Sequence, residues 1–321
     1  MDSNSTWMRK CLRRWGMSLV IPGIVGLIFW MGVKWPIDSK LPAEPLQLQG
    51  LDADWPSPLD LPDAMPYDKV VWLCSHNAMS NGMDGWVCPN QNWNIPSQLQ
   101  AGIHAQMWDV WLQGEELVLR HGNETASFPG AIPLRRAFGM VGEYLRNNPR
   151  AIVTLILESY VPNASIRKVA GEAGVFDFCT VLPVNGSWPT LGEMRAQGKR
   201  LVMLTDRPDG VGQWPMPVWE HCVETPWKNK SADAMDDAPG RGREKNRFLI
   251  VNHLVSAFRP SRATAETINA AGVLQERIRR IQARWGRQPN FWVMDFVDIG
   301  DGRTCVHDWN KAWKAGNPPN S

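Results

Sequence analysis

Six side chains that can transfer protons or coordinate cations lie at or near the ends of short apolar runs in the sequence. They are His76, Asn77, Asp109, His121, Glu158 and Asp295. The first four belong to three apolar runs between residues 70 and 121, Glu158 ends a fourth run, and Asp295 interrupts a run near the end of the chain. Two imidazoles beside carboxylates suit paired acid/base catalysis, and the carboxylate and amide oxygens suit a hard metal ion.

Short apolar runs alternate with amphipathic segments from residue 68 onward, as in a parallel sheet that is covered by helices. The runs that predict strands are 70–75, 105–111, 117–121, 151–158, 178–182, 200–205, 248–252 and 290–296. The segments that predict helices are 132–147, 164–173, 191–197 and 263–285. This alternation predicts a TIM-type (β/α) barrel, regular or irregular, over residues 68–298. Because the carboxyl ends of barrel strands form one face, the six side chains would converge there.

Other polar residues of the same types have structural explanations. A single carboxylate at a strand end often caps the following helix, and Asp206 precedes an Arg-Pro pair that is typical of a turn. His253 is explained equally well as a buried histidine with satisfied hydrogen bonds. His104, His221 and His307 are interpreted as surface or structural residues.

The amino-terminal part of the sequence predicts export. Residues 1–16 are basic, and the apolar run over residues 17–34 is long enough for a short transmembrane helix. The positive flank places the amino terminus in the cytoplasm and the rest of this single-pass chain on the other side of the membrane. A cleaved signal peptide, and hence a secreted protein, is the alternative. A proline-rich linker, 35–67, separates this anchor from the barrel, and residues 299–321 predict an irregular tail.

Composition and charge exclude some classes of function. The net charge is only +2 and no basic block recurs at a helical spacing, so a nucleic-acid partner is not expected. None of the six cysteines forms a Cys-x-x-Cys pair, which disfavours structural zinc. Cys74 and Cys88 flank the loop after His76 and are the first candidates for a disulfide. The segment 207–247, which contains several prolines and glycines, is either a functional rim or partly disordered.

A series of short motifs across the first half of the predicted barrel resembles a known family. The motifs are Ser75-His76-Asn77, Asn90-Gln91, Ile95, Gln98-Leu99, Gly102-Ile103, Met107, Asp109-Val110 and His121-Gly122. Their order and spacing resemble the X domain of phosphatidylinositol-specific phospholipase C, and most closely the plant and microbial proteins that contain only an X-like domain. The resemblance extends over residues 68–297.

The resemblance implies a TIM-type barrel that cleaves a phosphodiester between a lipid glycerol and an inositol phosphate. His76 would be the first catalytic histidine, acting as a general base or as a donor to the phosphoryl oxygens. His121 would be the second and would protonate the leaving alkoxide. Asp295 would orient His76, by analogy with an aspartate–histidine pair in the bacterial enzymes.

The resemblance also bears on the neutralisation of charge at phosphorus. Calcium-dependent relatives bind the metal through positions that correspond here to Asn77, Asp109 and Glu158, but Met107 stands where those relatives carry a further glutamate. Metal-independent bacterial relatives have an aspartate after the first histidine and an arginine two residues after the strand-two aspartate, where this chain has Asn77 and Trp111. The pattern therefore favours a divalent metal, Ca²⁺ in particular, with water in place of the missing ligand.

Two functions from different classes follow. The first is a membrane-tethered phosphodiesterase that acts on a phospholipid or another glycerol-type phosphodiester on the non-cytoplasmic side. The second is a catalytically inactive barrel that binds lipid or another ligand. Met107 and Trp111 favour the second function, whereas the joint presence of His76, Asp109, His121 and Glu158 favours the first. No motif identifies an inositol pocket, so the sequence leaves the head group open.

Overall fold

The computed structural model describes residues 57–122, 130–182, 184–209, 214–256 and 260–313. The strands are β1 (Trp72–Ser75), β2 (Ala105–Gln113), β3 (Glu116–Leu119), β4 (Ile132–Pro133), β5 (Val153–Ser159), β6 (Cys179–Thr180), β7 (Leu201–Thr205), β8 (Met216–Pro217), β9 (Cys222–Glu224), β10 (Phe248–His253) and β11 (Phe291–Met294). The α-helices are α1 (Ile95–Gln100), α2 (Leu134–Asn147), α3 (Asn163–Glu172), α4 (Leu191–Ala196), α5 (Val218–His221), α6 (Arg262–Ile268), α7 (Ala271–Trp285) and α8 (Gly302–Lys311). Short 3-10 helices occupy Pro58–Asp60, Tyr67–Lys69 and Phe176–Phe178.

The strands form one curled, mostly parallel sheet with helices on its outer side, and this confirms the predicted α/β class. The main path runs β6-β7-β5-β2-β1-β11-β10-β9, and each neighbouring pair along it is parallel. Within the described residues no ladder joins β9 to β6 or β8, so the sheet is a half-barrel rather than a closed one. Strands β6, β8 and β9 are only two, two and three residues long, and such short strands offer little backbone for closure.

Strand β3 does not extend the parallel path. It pairs antiparallel with β2, with Gln113 opposite Glu116 across a two-residue turn that begins at Gly114. Gly114 has φ +63°, which two-residue hairpin turns require and which glycine adopts without strain. The sequence predicts the run 117–121 as a barrel strand, and the hairpin corrects that interpretation. The consequence is that the chain doubles back along β2 and returns His121 to the level of Asp109.

The two faces of the sheet follow the period of two expected of strands. Residues of one parity pack inside the half-barrel, among them Trp72, Ile156 and Ile250. Residues of the other parity pack outward against the helices, as Leu155 and Leu249 do. The inner face is therefore apolar in its lower part. Toward the carboxyl ends of the strands, the next residues that face inward form the mouth of the half-barrel.

Several elements lie where the sequence predicts none. Strand β9 and helix α5 fall within the segment 207–247. The predicted helix 263–285 is divided at Asn269 into α6 and α7. The side chain of Asn269 donates to the carbonyl oxygens of Asp295, Phe296 and Ile299. The predicted irregular tail contains α8, and the side chain of Asn310 on this helix bonds both the N–H and the C=O of Val71. These contacts connect the end of the chain to the first barrel strand.

Cys74 and Cys88 are both free in this structure, which contradicts the disulfide expected between them, because Cys74 is fully buried in the apolar interior of the half-barrel. The basic segment 1–16 and the anchor predicted at 17–34 lie outside the described residues. Among the helices that the structure describes, none has the length and apolarity needed to cross a bilayer.

Candidate active site

The first part of the site is a histidine held by a carboxylate. Strands β1 and β11 are in register, with Ser75 opposite Met294, so the residues that follow them, His76 and Asp295, are neighbours at the mouth. Nδ1 of His76 lies 2.9 Å from Oδ1 of Asp295, and Nδ2 of Asn90 donates to the same oxygen at 2.9 Å. With the proton on Nδ1 shared with the carboxylate, Nε2 of His76 keeps its lone pair, and this tautomer is that of a base.

The second part of the site is a histidine held mainly by an amide. Nδ2 of Asn77 lies 3.1 Å from Nδ1 of His121, and Oδ2 of Asp109 lies 3.4 Å from the same nitrogen. Asn77 has φ +44°, a left-handed conformation that asparagine tolerates, and its side chain contacts both His121 and Asn90. In the imidazolium form, Nδ1–H of His121 faces Oδ2 of Asp109 and Nε2–H stays available, so a protonated His121 can act as an acid opposite His76 as a base.

The loop between β1 and α1 fixes this arrangement. Nε2 of Gln91 donates to the carbonyl oxygens of His76 and Met294 at 2.8 Å and 3.0 Å, and its Oε1 accepts from the N–H of Val297. The Gln91 amide thus links the ends of β1 and β11 just below the His76–Asp295 pair. The sequence identifies Asn90 and Gln91 only through the family motif, because no period or local pattern distinguishes loop amides that support a site.

At the carboxyl ends of several strands, the inward-facing positions are occupied by carboxylates. Asp109 and Glu158 are paired across β2 and β5, and the hydroxyl of Tyr160 donates to Glu158. Asp206 follows β7, and its Oδ1 accepts the N–H of Ser159 at 2.8 Å. Burial, and then the charge of Glu158, raise the pKa of Asp206 above its ordinary value. Asp206, which the sequence suggests is a turn residue, therefore belongs to the mouth.

Burial and the neighbouring carboxylates act in opposite directions on His76. Burial acts to lower its pKa, but the charge and hydrogen bond of Asp295, together with the charges of Asp109 and Glu158, raise the pKa above its ordinary value. Burial, followed by the charge of Glu158, raises the pKa of Asp109, and the contact with His121 opposes that rise. The result is a more basic imidazole at His76, which suits a general base.

The predicted metal ligands have suitable donor atoms but form a small set. Asn77, Asp109 and Glu158 offer oxygens near one another, and the repulsion between the two carboxylates would be relieved by a cation. Across the described ranges, no group of three or more His, Cys, Asp or Glu side chains is arranged to hold a metal ion. Met107 contributes a thioether to the interior instead of a carboxylate. The donor set therefore fits a hard divalent ion only with water as additional ligands.

Two further charged residues at the mouth have no sequence motif. Glu224 on β9 is buried, accepts from Nδ2 of Asn252 at 3.1 Å and forms an ion pair with Arg241. The guanidinium of Arg241 lies 4.4 Å from the ring centre of Trp219. Burial acts to lower the pKa of Arg241, but Glu224 raises it, and the charges of Glu158 and Asp206 add to this rise. The sequence analysis did not identify either residue, because the segment 207–247 predicts no strand. The glycines on both sides of Arg241 were the signal that could have indicated a close approach of this segment to the sheet.

An aromatic stack stands beside the carboxylates. Trp111 lies two residues after Asp109 on β2 and therefore faces the same side of the sheet. Its ring stacks on Tyr160, with the ring centres 3.5 Å apart. The guanidinium of Arg120 covers the Trp111 ring at 4.2 Å from its centre. The position that the bacterial branch of the resembled family fills with arginine is thus occupied by an aromatic ring with a guanidinium above it.

The described fold and mouth define an α/β half-barrel protein with a paired-histidine site at the carboxyl ends of its strands. The sequence matches the PI-PLC X domain family (PI-PLC X 1) over residues 64–310, so the chain belongs to this family. The resemblance inferred from the motifs is confirmed.

Several curated relatives share most of this chain. A PI-PLC X domain-containing protein of Arabidopsis thaliana is 24% identical over 266 residues, which are 77% of this chain and 62% of that protein. PI-PLC X domain-containing protein 1 of Arthroderma benhamiae is 26% identical over 265 residues, 73% of this chain and 82% of the relative. An uncharacterized secreted protein of the same organism is 23% identical and covers 74% of this chain. The chain spans only 62% of the Arabidopsis protein and 59% of the secreted one.

Solved structures of similar fold include phosphatidylinositol-specific phospholipases C from two bacteria. The enzyme from Listeria monocytogenes superposes with a TM-score of 0.54 at 16% identity and covers 80% of this chain and 97% of its own. The enzyme from Staphylococcus aureus gives a TM-score of 0.54 at 14% identity and covers 79% and 95%. At these identities the similarity establishes the fold.

Proposed function

We propose that the protein is a phosphoric diester hydrolase of the phospholipase C type, acting on a lipid or glycerol-type phosphodiester. The observation that carries this proposal is the pair of histidines at the mouth, each held through its Nδ1 atom. His76 is held on Nδ1 by Asp295 at 2.9 Å, and His121 is held on Nδ1 by Asn77 at 3.1 Å. Membership of the PI-PLC X domain family supports the same reaction class.

The proposed reaction proceeds by acid/base catalysis between the two imidazoles. A hydroxyl of the head group attacks phosphorus and transfers its proton to Nε2 of His76, while Asp295 stabilises the imidazolium that forms. The bond from phosphorus to the glycerol oxygen breaks, and His121, as an imidazolium whose Nδ1–H faces Asp109, donates its Nε2 proton to that oxygen and becomes neutral. The product is a cyclic phosphodiester. Water opens it with the roles of His76 and His121 exchanged, which returns both residues to their starting state.

We also propose a divalent metal, Ca²⁺, at the mouth. Asn77, Asp109 and Glu158 would hold it, and it would supply positive charge beside the phosphoryl oxygens. The proposed location is membrane-tethered through residues 17–34 with the barrel on the non-cytoplasmic side, or secreted. The secreted description of one relative supports the second location.

Hydrolysis assays with the full chain test the proposal. The substrates are phosphatidylinositol, lysophospholipids and glycerophosphodiesters, each with calcium, magnesium or chelator. Removal of a general acid costs roughly 10²- to 10⁴-fold in rate, so His121→Ala should lose at least 100-fold. His307→Ala on α8 is the matched control and should retain full activity. An active His121→Ala variant would refute the site, and activity that chelator leaves intact would remove the metal role.

The second candidate is a binding protein without turnover. Met107 and Trp111 favour it, because the two branches of the family place charged groups at these positions. In this case the wild-type chain would bind phospholipid vesicles but would release no head group from any of the substrates above. Equal vesicle binding by wild type and His121→Ala, with no hydrolysis by either, would establish this alternative.

A further inference from the structure

A cleft of about 800 Å³ lies at the amino ends of the strands, opposite the mouth. Four of the segments that line it lead into β1, β9, β10 and β11, and these strands run parallel to one another. The charged side chains that line the cleft are Lys69, Arg243, Lys245, Arg247 and Arg287, with Asp68 and Glu220. Basic side chains thus exceed acidic ones by three in this one cleft, whereas the whole chain carries a net charge of only +2.

One wall of the cleft ends a segment, residues 225–247, that returns along β9 from the mouth. The N–H of Glu224 donates to Arg241 O at 3.0 Å, so Arg241 lies beside the carboxyl end of the strand. Gly242 has φ +83°, and a Cβ built on it would clash with the carbonyl oxygen of Cys222. Because only glycine fits so close to the strand, the path of the residues that follow toward the cleft is fixed.

The same segment is anchored from behind by α7. Asp237 accepts from Arg277 and Arg280, each at 3.1 Å. Arg277 is only 2% exposed and also donates to the carbonyl oxygen of Asn252 at 2.9 Å. Residues 225–247, within the segment that the sequence describes as either a functional rim or partly disordered, thus form an ordered wall between the mouth and the cleft.

Arg287 lines the cleft with a guanidinium that the backbone holds in place. Its Nη1 donates to the carbonyl oxygens of Asn246 and Arg247 at 2.7 Å and 2.8 Å, and its Nη2 donates to Glu244 O at 3.4 Å. A guanidinium has five N–H donors, so two of them have no acceptor within the described residues. The carboxylate of Glu244 is paired with Arg284 instead. The charge of Arg287 is therefore fixed in position without a carboxylate partner.

Arg247 is held from two sides. Its Nη1 lies 2.6 Å from a carboxylate oxygen of Asp68, and its Nη2 donates to Gly186 O at 2.9 Å. This ion pair neutralises Asp68, so Glu220 is the acidic side chain of the cleft that remains to balance the other cations. Both guanidinium groups are thus positioned before any ligand binds.

The other three basic side chains of the cleft are exposed. Across the ranges that the structure describes, the side chains of Lys69, Arg243 and Lys245 form no ion pair and no hydrogen bond. A cleft lined mainly by charges of one sign concentrates ions of the opposite sign. A bound anion would also relieve the repulsion among these cations.

We propose that this cleft binds a soluble polyanion, a small molecule that carries several phosphate or sulfate groups. Guanidinium groups donate paired N–H bonds to such oxyanions, and lysine adds point charges. A single oxyanion would reach few of the cations, because they lie on several chain segments, whereas linked oxyanions reach more of them. The volume lies within the range of about 300–1,000 Å³ that is typical of small-molecule sites. A bilayer surface is a poorer match, because it does not enter a concave cleft. This site is separate from the mouth and does not depend on the proposed phosphodiesterase function.

Isothermal titration calorimetry of the full chain, in buffer without divalent cations, tests the site. The probes are inorganic tripolyphosphate and sucrose octasulfate, and the reference compounds are orthophosphate and sucrose. At least one polyanion should bind at least tenfold more tightly than orthophosphate, and sucrose should not bind. Tighter binding of tripolyphosphate would assign the ligand to phosphate esters, and tighter binding of the octasulfate would assign it to sulfated sugars. Absence of binding, or equal affinity for orthophosphate and both polyanions, would overturn the site.

Substitutions locate the binding. Arg243→Gln with Lys245→Gln removes two charges that form no internal contact, so the fold should persist and the affinity for the better polyanion should fall at least tenfold. Lys69→Gln should lower this affinity at least threefold. Arg135→Gln with Arg136→Gln, on the exposed face of α2, removes the same charge and is the matched control, which should bind within twofold of wild type.

Three results would contradict this location. Equal losses in the two double variants would assign the binding to overall charge, and an unchanged affinity in Arg243→Gln with Lys245→Gln would place it elsewhere. Binding of the chain to phosphatidylserine vesicles, with no binding of either soluble polyanion, would replace the cleft by a membrane-facing surface.

Discussion

Asp295→Asn isolates the contribution of one negative charge to catalysis. The substitution preserves shape and leaves an oxygen that can accept from Nδ1 of His76 and from Asn90. What it removes is the charge that opposes burial and raises the pKa of His76. The variant should therefore form the imidazolium less readily, and the step in which His76 takes a proton should slow.

The geometry of the pair bounds the size of this effect. Two unit charges in contact near a protein surface interact by about 4 kcal/mol. The side chains of His76 and Asp295 are 28% and 12% exposed, so solvent screens part of this interaction. Taking half of it gives about 2 kcal/mol, which corresponds to a fall in kcat of about 30-fold.

The assay is kcat for release of the inositol phosphate from phosphatidylinositol vesicles at saturation. Asp298→Asn is the matched control because Asp298 follows the same strand but contacts Asn92, at 2.7 Å, and neither histidine. Thermal unfolding should give similar midpoints for wild type and both variants. A kcat for Asp295→Asn within threefold of wild type would refute the reasoning, and so would an equal loss in the two variants.

Three further predictions concern the support of the site. Gly242→Ala should lower the free energy of unfolding by about 3 kcal/mol in urea titrations, because it combines a left-handed φ with a clash against Cys222 O, whereas Gly286→Ala, with φ +62° and open space, should cost about 1 kcal/mol. Arg277→Met should cost about 3 kcal/mol or more in the same titrations, because buried polar partners are left unpaired; a neutral result would contradict the anchoring role. Burial and then the charge of Arg277 lower the pKa of His253 to about 3 from the ordinary 6.5. Between pH 3 and pH 6.5 the unfolded state therefore binds more protons than the folded state, so this group lowers the free energy of unfolding by about 1.4 kcal/mol for each unit by which the pH falls. His253→Gln should remove this slope from the acid side of a profile of unfolding free energy against pH.

Residues at the carboxyl ends of the apolar strands were predictable from the sequence to a useful degree. The period of two in β5 and β11 makes the positions of Glu158 and Asp295 readable, because each lies two residues beyond an inner-facing apolar residue. Asp206 and Glu224 follow the same rule, after Leu204 and Cys222. Glu224 was missed because β9 is three residues long and offers too few alternations to establish a period.

Contacts made by loops and turns were not predictable in this way. His121 was predicted as a site residue from the end of its apolar run, but that run was assigned to the barrel, since an apolar run does not reveal whether its partner is parallel or antiparallel. The roles of Asn90 and Gln91 depend on side chains that meet the ends of β1 and β11, more than 200 residues apart in the case of Gln91 and Met294. Arg241 reaches the mouth through glycine geometry that only the folded backbone displays.

Charge balance connects the two halves of the mouth. A phosphodiester is an anion, so the half that holds phosphorus needs positive charge, and His76 supplies it once it has taken the proton of the attacking hydroxyl, in an imidazolium that Asp295 stabilises. A cation on the oxygens of Asp109 and Glu158 would act in the same half. The opposite half keeps the carboxylate of Asp206, together with the Glu224–Arg241 ion pair, whose charges compensate each other. Once His76 has taken that proton, positive charge lies in the half that holds phosphorus, while the carboxylate of Asp206 leaves a negative charge in the opposite half.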